Sequence, residues 1–135
     1  MAGPSYVLDK TYEATTAVTK YAAVVPYAND GSADGQCKLP GGASVPILGI
    51  TQEAQANAGQ NVTVRKLGIS RAVASGAVNA GNLVEVAGTD GSLRATTPAA
   101  SAAAVHYIVG MAESSAASGA IFFVNLAPMI CGEAS

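Results

Sequence analysis

The sequence predicts an all-β fold, a small antiparallel barrel or sandwich, and three observations carry that expectation. Short apolar runs rich in β-branched and aromatic residues recur along the chain, as a half-buried pleated surface requires. Glycine and Asx turn signals separate them at intervals of about ten residues, the spacing of sandwiches and barrels. The third observation is a stretch used twice. Ile47-Leu48-Gly49-Ile50-Thr51-Gln52-Glu53 leads through small residues to Gly59 and then to Asn61-Val62-Thr63-Val64-Arg65-Lys66-Leu67. Ile108-Val109-Gly110-Met111-Ala112-Glu113 leads through a Ser/Ala tract to Gly119 and then to Ile121-Phe122-Phe123-Val124-Asn125-Leu126. Each copy reads as strand, small-residue connection, strand, with a carboxylate, Glu53 or Glu113, in a matching place. Two copies fall short of a solenoid array and describe one compact domain of two related halves.

Composition narrows the class. At 135 residues the chain suits one domain with one core. Roughly a fifth of it is Ala and another fifth Val, Ile, Leu and Phe, a thin bulky core near the level that marks disorder when charge is high. The net charge of -2 removes that second condition. Charged residues make up 12%, against about 25% in a typical soluble domain, which suits a surface packed against something else. The seven basic residues are scattered, with Arg65-Lys66 the only adjacent pair, so nucleic acid is not an expected partner. No apolar run approaches the roughly 18 residues of a membrane span, and Met1–Ser5 lacks the pattern of a signal peptide; no membrane partner is expected. Cys37 and Cys131 make no disulfide framework and are expected as free thiols.

In chain order, residues 1–16 are expected as an extended N-terminal arm and 17–135 as a single β domain. The arm carries an apolar anchor, Tyr6-Val7-Leu8, then a Thr-rich run through Thr11 and Tyr12 with too little bulk to form a core element alone. Val18–Tyr27 is the first core strand, ended or placed at an edge by Pro26. Asn29–Gly35 is an Asx-rich turn whose spacing lacks the late bidentate Glu of a calcium loop. Cys37–Gly42 is irregular, and its Gly41-Gly42 pair lacks the rest of a phosphate loop. Strands follow at 47–52 and 61–66, then a short one within Gly68–Gly76. Thr89-Asp90-Gly91-Ser92 signals a hairpin turn, with positive φ at Asp and Gly, joining 83–87 to 92–96. Pro98–Ala104 reads as a loop with at most a helical turn. Strands at 107–112 and 120–126 precede a trailing end at 128–135.

The residues assemble no catalytic or metal constellation, and no cofactor is expected. His106, the sole histidine, has no partner visible in the sequence, and no nucleophile elbow is present. One His and two distant Cys do not make a zinc site. Glu53 and Glu113 could be the paired acids of a glycosidase, but a chain with no Trp and two Phe offers little to line a sugar site. They are better read as turn contacts or contacts to a neighbouring subunit.

The order of several segments resembles the capsid decoration, or cement, proteins of tailed bacteriophages. These segments are Thr19–Val25, Ile47–Gln52, Ala58–Val64, Ala80–Val84, Val109–Glu113 and Gly119–Val124, within residues 6–128. The Ala-rich 99–104 and the Cys-containing tail match nothing in that pattern. The resemblance implies a non-enzymatic structural protein, tulip-like or jelly-roll, acting as a homo-oligomer (trimer or dimer). It implies a place on the outer surface of the expanded virion head, made in the host cytoplasm, where it clamps adjacent major capsid protein subunits. The expected capsid contacts are Tyr6, Val7, Leu8, Thr11 and Tyr12, through strand addition and side-chain pockets. An alternative is a receptor-binding or fibre-base β module of a virion surface.

Overall fold

The computed structural model describes residues 7–27, 34–96 and 105–132, with side chains of the last segment described from 106 to 127. Nine strands form: β1 (Leu8–Ala14), β2 (Ala23–Pro26), β3 (Gln36–Lys38), β4 (Gly49–Thr51), β5 (Gln60–Val73), β6 (Leu83–Val86), β7 (Leu93–Ala95), β8 (Val105–Ala112) and β9 (Ile121–Gly132). No described residue is helical, so the all-β barrel class holds.

The strands run in the order β1-β3-β2-β4-β5-β9-β8-β6-β7, and β1 also pairs with β5. That extra pairing closes β1, β3, β2, β4 and the first half of β5 into a five-stranded ring. The second half of β5 opens a second ring through β9, β8, β6 and β7, which a parallel bridge from Ala74 to Leu93 closes. The two rings repeat many of each other's backbone hydrogen bonds. Val18 bridges Gln55 as Val78 bridges Ala116. Tyr21 donates to the Thr51 carbonyl as Gly81 does to Ala112, and Gly59 to Ala14 as Gly119 does to Ala74.

The interiors match as well. Ala14, Val18, Val24, Cys37, Val62 and Val64 fill the first core; Ala74, Val78, Val84, Leu93, Phe122 and Val124 fill the second at the corresponding places. The rings meet where Ala23 and Ile50 of the first join the second core. Ala23 N–H donates to the Gly91 carbonyl at 2.9 Å, and Ser44 N–H to Val86 at 2.9 Å.

Several expectations are corrected. Residues 8–14, expected as an arm too thin for a core element, are a strand: all seven pair with β5, and Tyr12 and Ala14 are buried. Pairing with a long neighbour supplies the hydrogen bonds that the arm lacks alone. The first core strand shrinks from 18–27 to Ala23–Pro26, because Tyr21 takes a φ of 61° and breaks the extended run. Cys37, expected in irregular chain, lies in β3. The two short strands expected at 61–66 and within 68–76 are one strand, β5. Backbone pairing continues through 128–132, so the expected trailing end belongs to β9 as far as Gly132. In the 87–92 turn only Gly91, at φ 79°, is left-handed, while the Asp90 carboxylate caps the Ser92 N–H at 3.0 Å. The segments expected as the Asx turn (29–33) and the Ala-rich loop (98–104) lie outside the described residues.

Gly49 and Gly110 hold the same place in the two rings, opposite Val24 and Val84. A Cβ there would collide with the Arg65 or the Asn125 carbonyl. Neither ring can relieve this without parting two paired strands. Gly49→Ala and Gly110→Ala should each lower stability by about 1–3 kcal/mol, read as a lower urea midpoint at unchanged slope. Gly41→Ala, with open space around it, should leave the midpoint where it is.

Candidate interaction surface

Among the described residues, the buried charged side chain lies in the second ring. Glu85 is 1% exposed and sits directly across from Arg94 in the β6–β7 pair. Arg94 Nη2 donates to its Oε2 at 3.0 Å, and His106 Nδ1 lies 2.9 Å from its Oε1. Burial alone would raise the Glu85 pKa, but hydrogen bonds with Thr96, Arg94 and His106 hold it below the ordinary glutamate value. His106 therefore has the carboxylate partner that the sequence did not reveal, because Glu85 is twenty-one residues away. Glu85, His106 and Thr96 do not line up as a relay. Thr96 Oγ1, at 3.4 Å, approaches the same ring nitrogen as Glu85, whereas a relay needs the two nitrogens to serve different partners. The cluster anchors β6, β7 and β8 to one another.

The other residues singled out by sequence are spread over both rings. Val7, Leu8 and Thr11 are exposed on or beside β1; Tyr6 lies outside the described residues. Tyr12 is corrected: it is a core residue, 6% exposed, and its hydroxyl accepts from Lys66 Nζ at 2.8 Å. A side chain held inside its own ring offers no surface to a capsid. Glu53 accepts the Thr63 N–H at 3.0 Å. Its counterpart is Ser114, whose hydroxyl accepts the Phe123 N–H at 2.9 Å. Glu113 corresponds instead to Gln52, since each donates its N–H to the facing strand at Phe123 or Thr63. The two carboxylates thus do not share a place, and they sit in different rings. Cys37 is buried in the first core, which pushes its thiol pKa up to about 11.

What sequence reading missed is the outer face of the second ring. Along β9, Phe122, Val124 and Leu126 point inward while Ile121, Phe123 and Asn125 point out. The register places Met111, Asn125 and Ile69 in one row across β8, β9 and β5. The next row is Glu113, Phe123 and Arg71, and Ile121 pairs with Val73 beyond it. Ile69, Met111, Ile121 and Phe123 are each between 43% and 52% exposed, a contiguous apolar patch on one sheet face. Arg71 lies over it, 5.6 Å from the Phe123 ring and 5.9 Å from that of Tyr21, and donates to the Tyr21 hydroxyl at 3.2 Å. That hydrogen bond, then the one from Lys20, lowers the Tyr21 pKa. Arg65 by contrast is engaged, bidentate to Asp9 at 2.9 and 3.2 Å. The alternation along Ile121–Ala127 was visible in the sequence; the cross-strand rows needed the register.

No protein-family model matches the chain, and no curated protein matches its sequence. In three dimensions it is similar to the N base of the head fibre gp8.5 of bacteriophage phi29. The TM-score is 0.65 at 15% identity, over 90% of this chain and 95% of that one. At that identity the likeness establishes the fold.

The Glu85 cluster generates a pH dependence of known sign. Its folded pKa is depressed, so its contribution is complete above the unfolded value, near 4.5, and is lost as pH falls through the folded one. Glu85→Ala should cost about 3 kcal/mol at neutral pH, the lower end for breaking a buried pair, because Arg94 can turn to solvent. Urea titrations at neutral and acid pH should show wild type losing more stability on acidification than the variant.

Proposed function

We propose that this protein is a non-enzymatic structural component of a tailed-phage virion. It sits on the outer surface of the expanded head and, as an oligomer, clamps adjacent major capsid protein subunits. The observation that carries this reading is the fold shared with a head-fibre base over nearly the whole of both chains. The resemblance of the glycine-anchored segments to decoration proteins points the same way. The buried Glu85 cluster ties three strands together, and Thr96 and Glu85 approach the same ring nitrogen of His106, which supports a structural role for it.

Attachment through the start of β1 remains the favoured contact, in an altered form. β3 pairs only with Glu13 and Ala14, so the outer edge of β1 from Leu8 to Tyr12 has no partner among the described strands. A capsid segment could extend that edge by main-chain hydrogen bonds, with Tyr6, Val7, Leu8 and Thr11 supplying side-chain contacts. A second reading, a fibre-base module that only marks an attachment point, is favoured by the name of the structural neighbour.

Removing residues 2–12 would take most of β1 and the Tyr12 ring from the first core, so surface substitutions are the proper test. Val7→Asp with Leu8→Asp should leave the unfolding free energy within about 0.5 kcal/mol of wild type and weaken co-sedimentation with expanded heads. Wild type should bind expanded heads, ignore unexpanded ones, and raise the temperature at which heads release their genome. Binding without that rise favours the fibre base; no binding to either head overturns both readings.

A further inference from the structure

The two rings provide an internal control for the apolar face. At the place of Phe123 the first ring carries Thr63; for Ile121 it has Asn61, and for Ile69 it has Asp9. The same ring therefore closes with polar residues at these positions, and the apolar ones are not demanded by its folding. The ends of the rows tell the same story. Ala23 and Ile50 of the first ring are fully covered by the second, whereas their counterparts Leu83 and Met111 remain partly or largely exposed. The second ring thus leaves exposed, at Leu83 and Met111, the end of the face that the first ring buries against its neighbour.

We infer that this face packs against the same face of another copy of the chain, around a rotation axis parallel to β9, with Arg71 of each copy meeting Glu113 of its neighbour. Charge selects the axis. Across the sheet the row reads Glu113, Phe123, Arg71, with an acid on one flank of the ring and a cation on the other. Rotation about an axis along β9 sets the Arg71 flank of one copy beside the Glu113 flank of the next and gathers the Phe123 rings at the axis. An axis lying across the strands would oppose Arg71 to Arg71, which costs affinity. Both groups are available: Arg71 meets no carboxylate, and Glu113 no cation, among the described residues. Exposed Phe and Met around an Arg also match the composition of well-packed interface centres. Either a dimer or a trimer satisfies this geometry, since both repeat the same Arg71–Glu113 contact in a closed ring.

The inference deepens the oligomeric part of the proposed function, and it is tested without capsids, so its failure would leave head attachment standing. Light scattering on the purified full chain after size exclusion should give a dimer or trimer. Phe123→Thr, which places the first ring's own residue at that site, should give a monomer with the wild-type circular dichroism spectrum. Arg71→Glu and Glu113→Arg should each weaken self-association more than about tenfold, because like charges then meet at every repeated contact. The double variant should restore it. A monomeric wild type, an oligomer indifferent to Phe123→Thr, or a double variant no better than the singles would each overturn the inference. A face that is monomeric in isolation yet needed for head binding would assign it to the capsid instead.

Discussion

The structure depends on one strand belonging to two rings. β5 runs from Gln60 to Val73; its first half closes one ring against β1 and β4, and its second half opens the other against β9. Val62 and Val64 turn into the first core, and Ser70 and Ala72 turn inward in the second. Side chains alternate within each half, so a slip of one residue in either half would expose that ring's core residues. The handover takes place at Gly68, where φ reaches 99° and the pairing to β1 shifts between Leu8 and Asp9. A bulge bends the strand and increases its local twist, which is what a strand passing from one small ring to the next requires. The polar Ser70 at the junction is satisfied by Gln52, whose Nε2 donates to it at 2.9 Å.

Each ring is small enough that its core tolerates one large side chain at a given level. In the first ring Tyr12 pairs with Val62; in the second Ala72 pairs with Phe122. The aromatic has moved from one strand to its partner while the bulk of the pair is kept, as close-packed interiors demand. The exchange has one electrostatic consequence. The tyrosine hydroxyl needs a partner when buried, and Lys66 reaches it; Phe122 makes no such demand. A thin supply of bulky residues is therefore enough for two cores, because Ala and Val fill most of the positions that the aromatic does not.

Much of this was legible in the residues. The duplicated segments marked real copies because their glycines, Gly49 and Gly110, meet the same backbone crowding. The hairpin at Asp90-Gly91 was visible from turn chemistry alone. Other features were hidden for physical reasons. β3 is three residues long and its pattern carries no signal. The continuity of β5 was masked because Gly68 punctuates the sequence without ending the strand. Glu53 and Glu113 looked equivalent because the first copy has one more residue between its two glycines than the second, which shifts the apparent match by one place. The bond between Glu85 and His106 joins strands distant in sequence, and no local pattern announces it.

Comparing the rings separates what folding requires from what it leaves open. Inside, the two share the residue type itself at Ala14 and Ala74, Val18 and Val78, Val24 and Val84, and Val64 and Val124. Outside they diverge, and the divergence is organised. Glu85 and Arg94 replace Val25 and Lys38, tying the second ring with an ionic cluster the first does without. Phe123, Ile121 and Ile69 replace Thr63, Asn61 and Asp9 on one continuous face. Since the first ring shows that the closed fold needs neither change, both additions lie beyond the requirements of ring closure. The ionic cluster stiffens the ring that carries the apolar face, and a face that must meet a partner in one register gains from a rigid support. Duplication thus provides two copies of a stable ring, one free to be modified at its surface while the shared strand holds both in place.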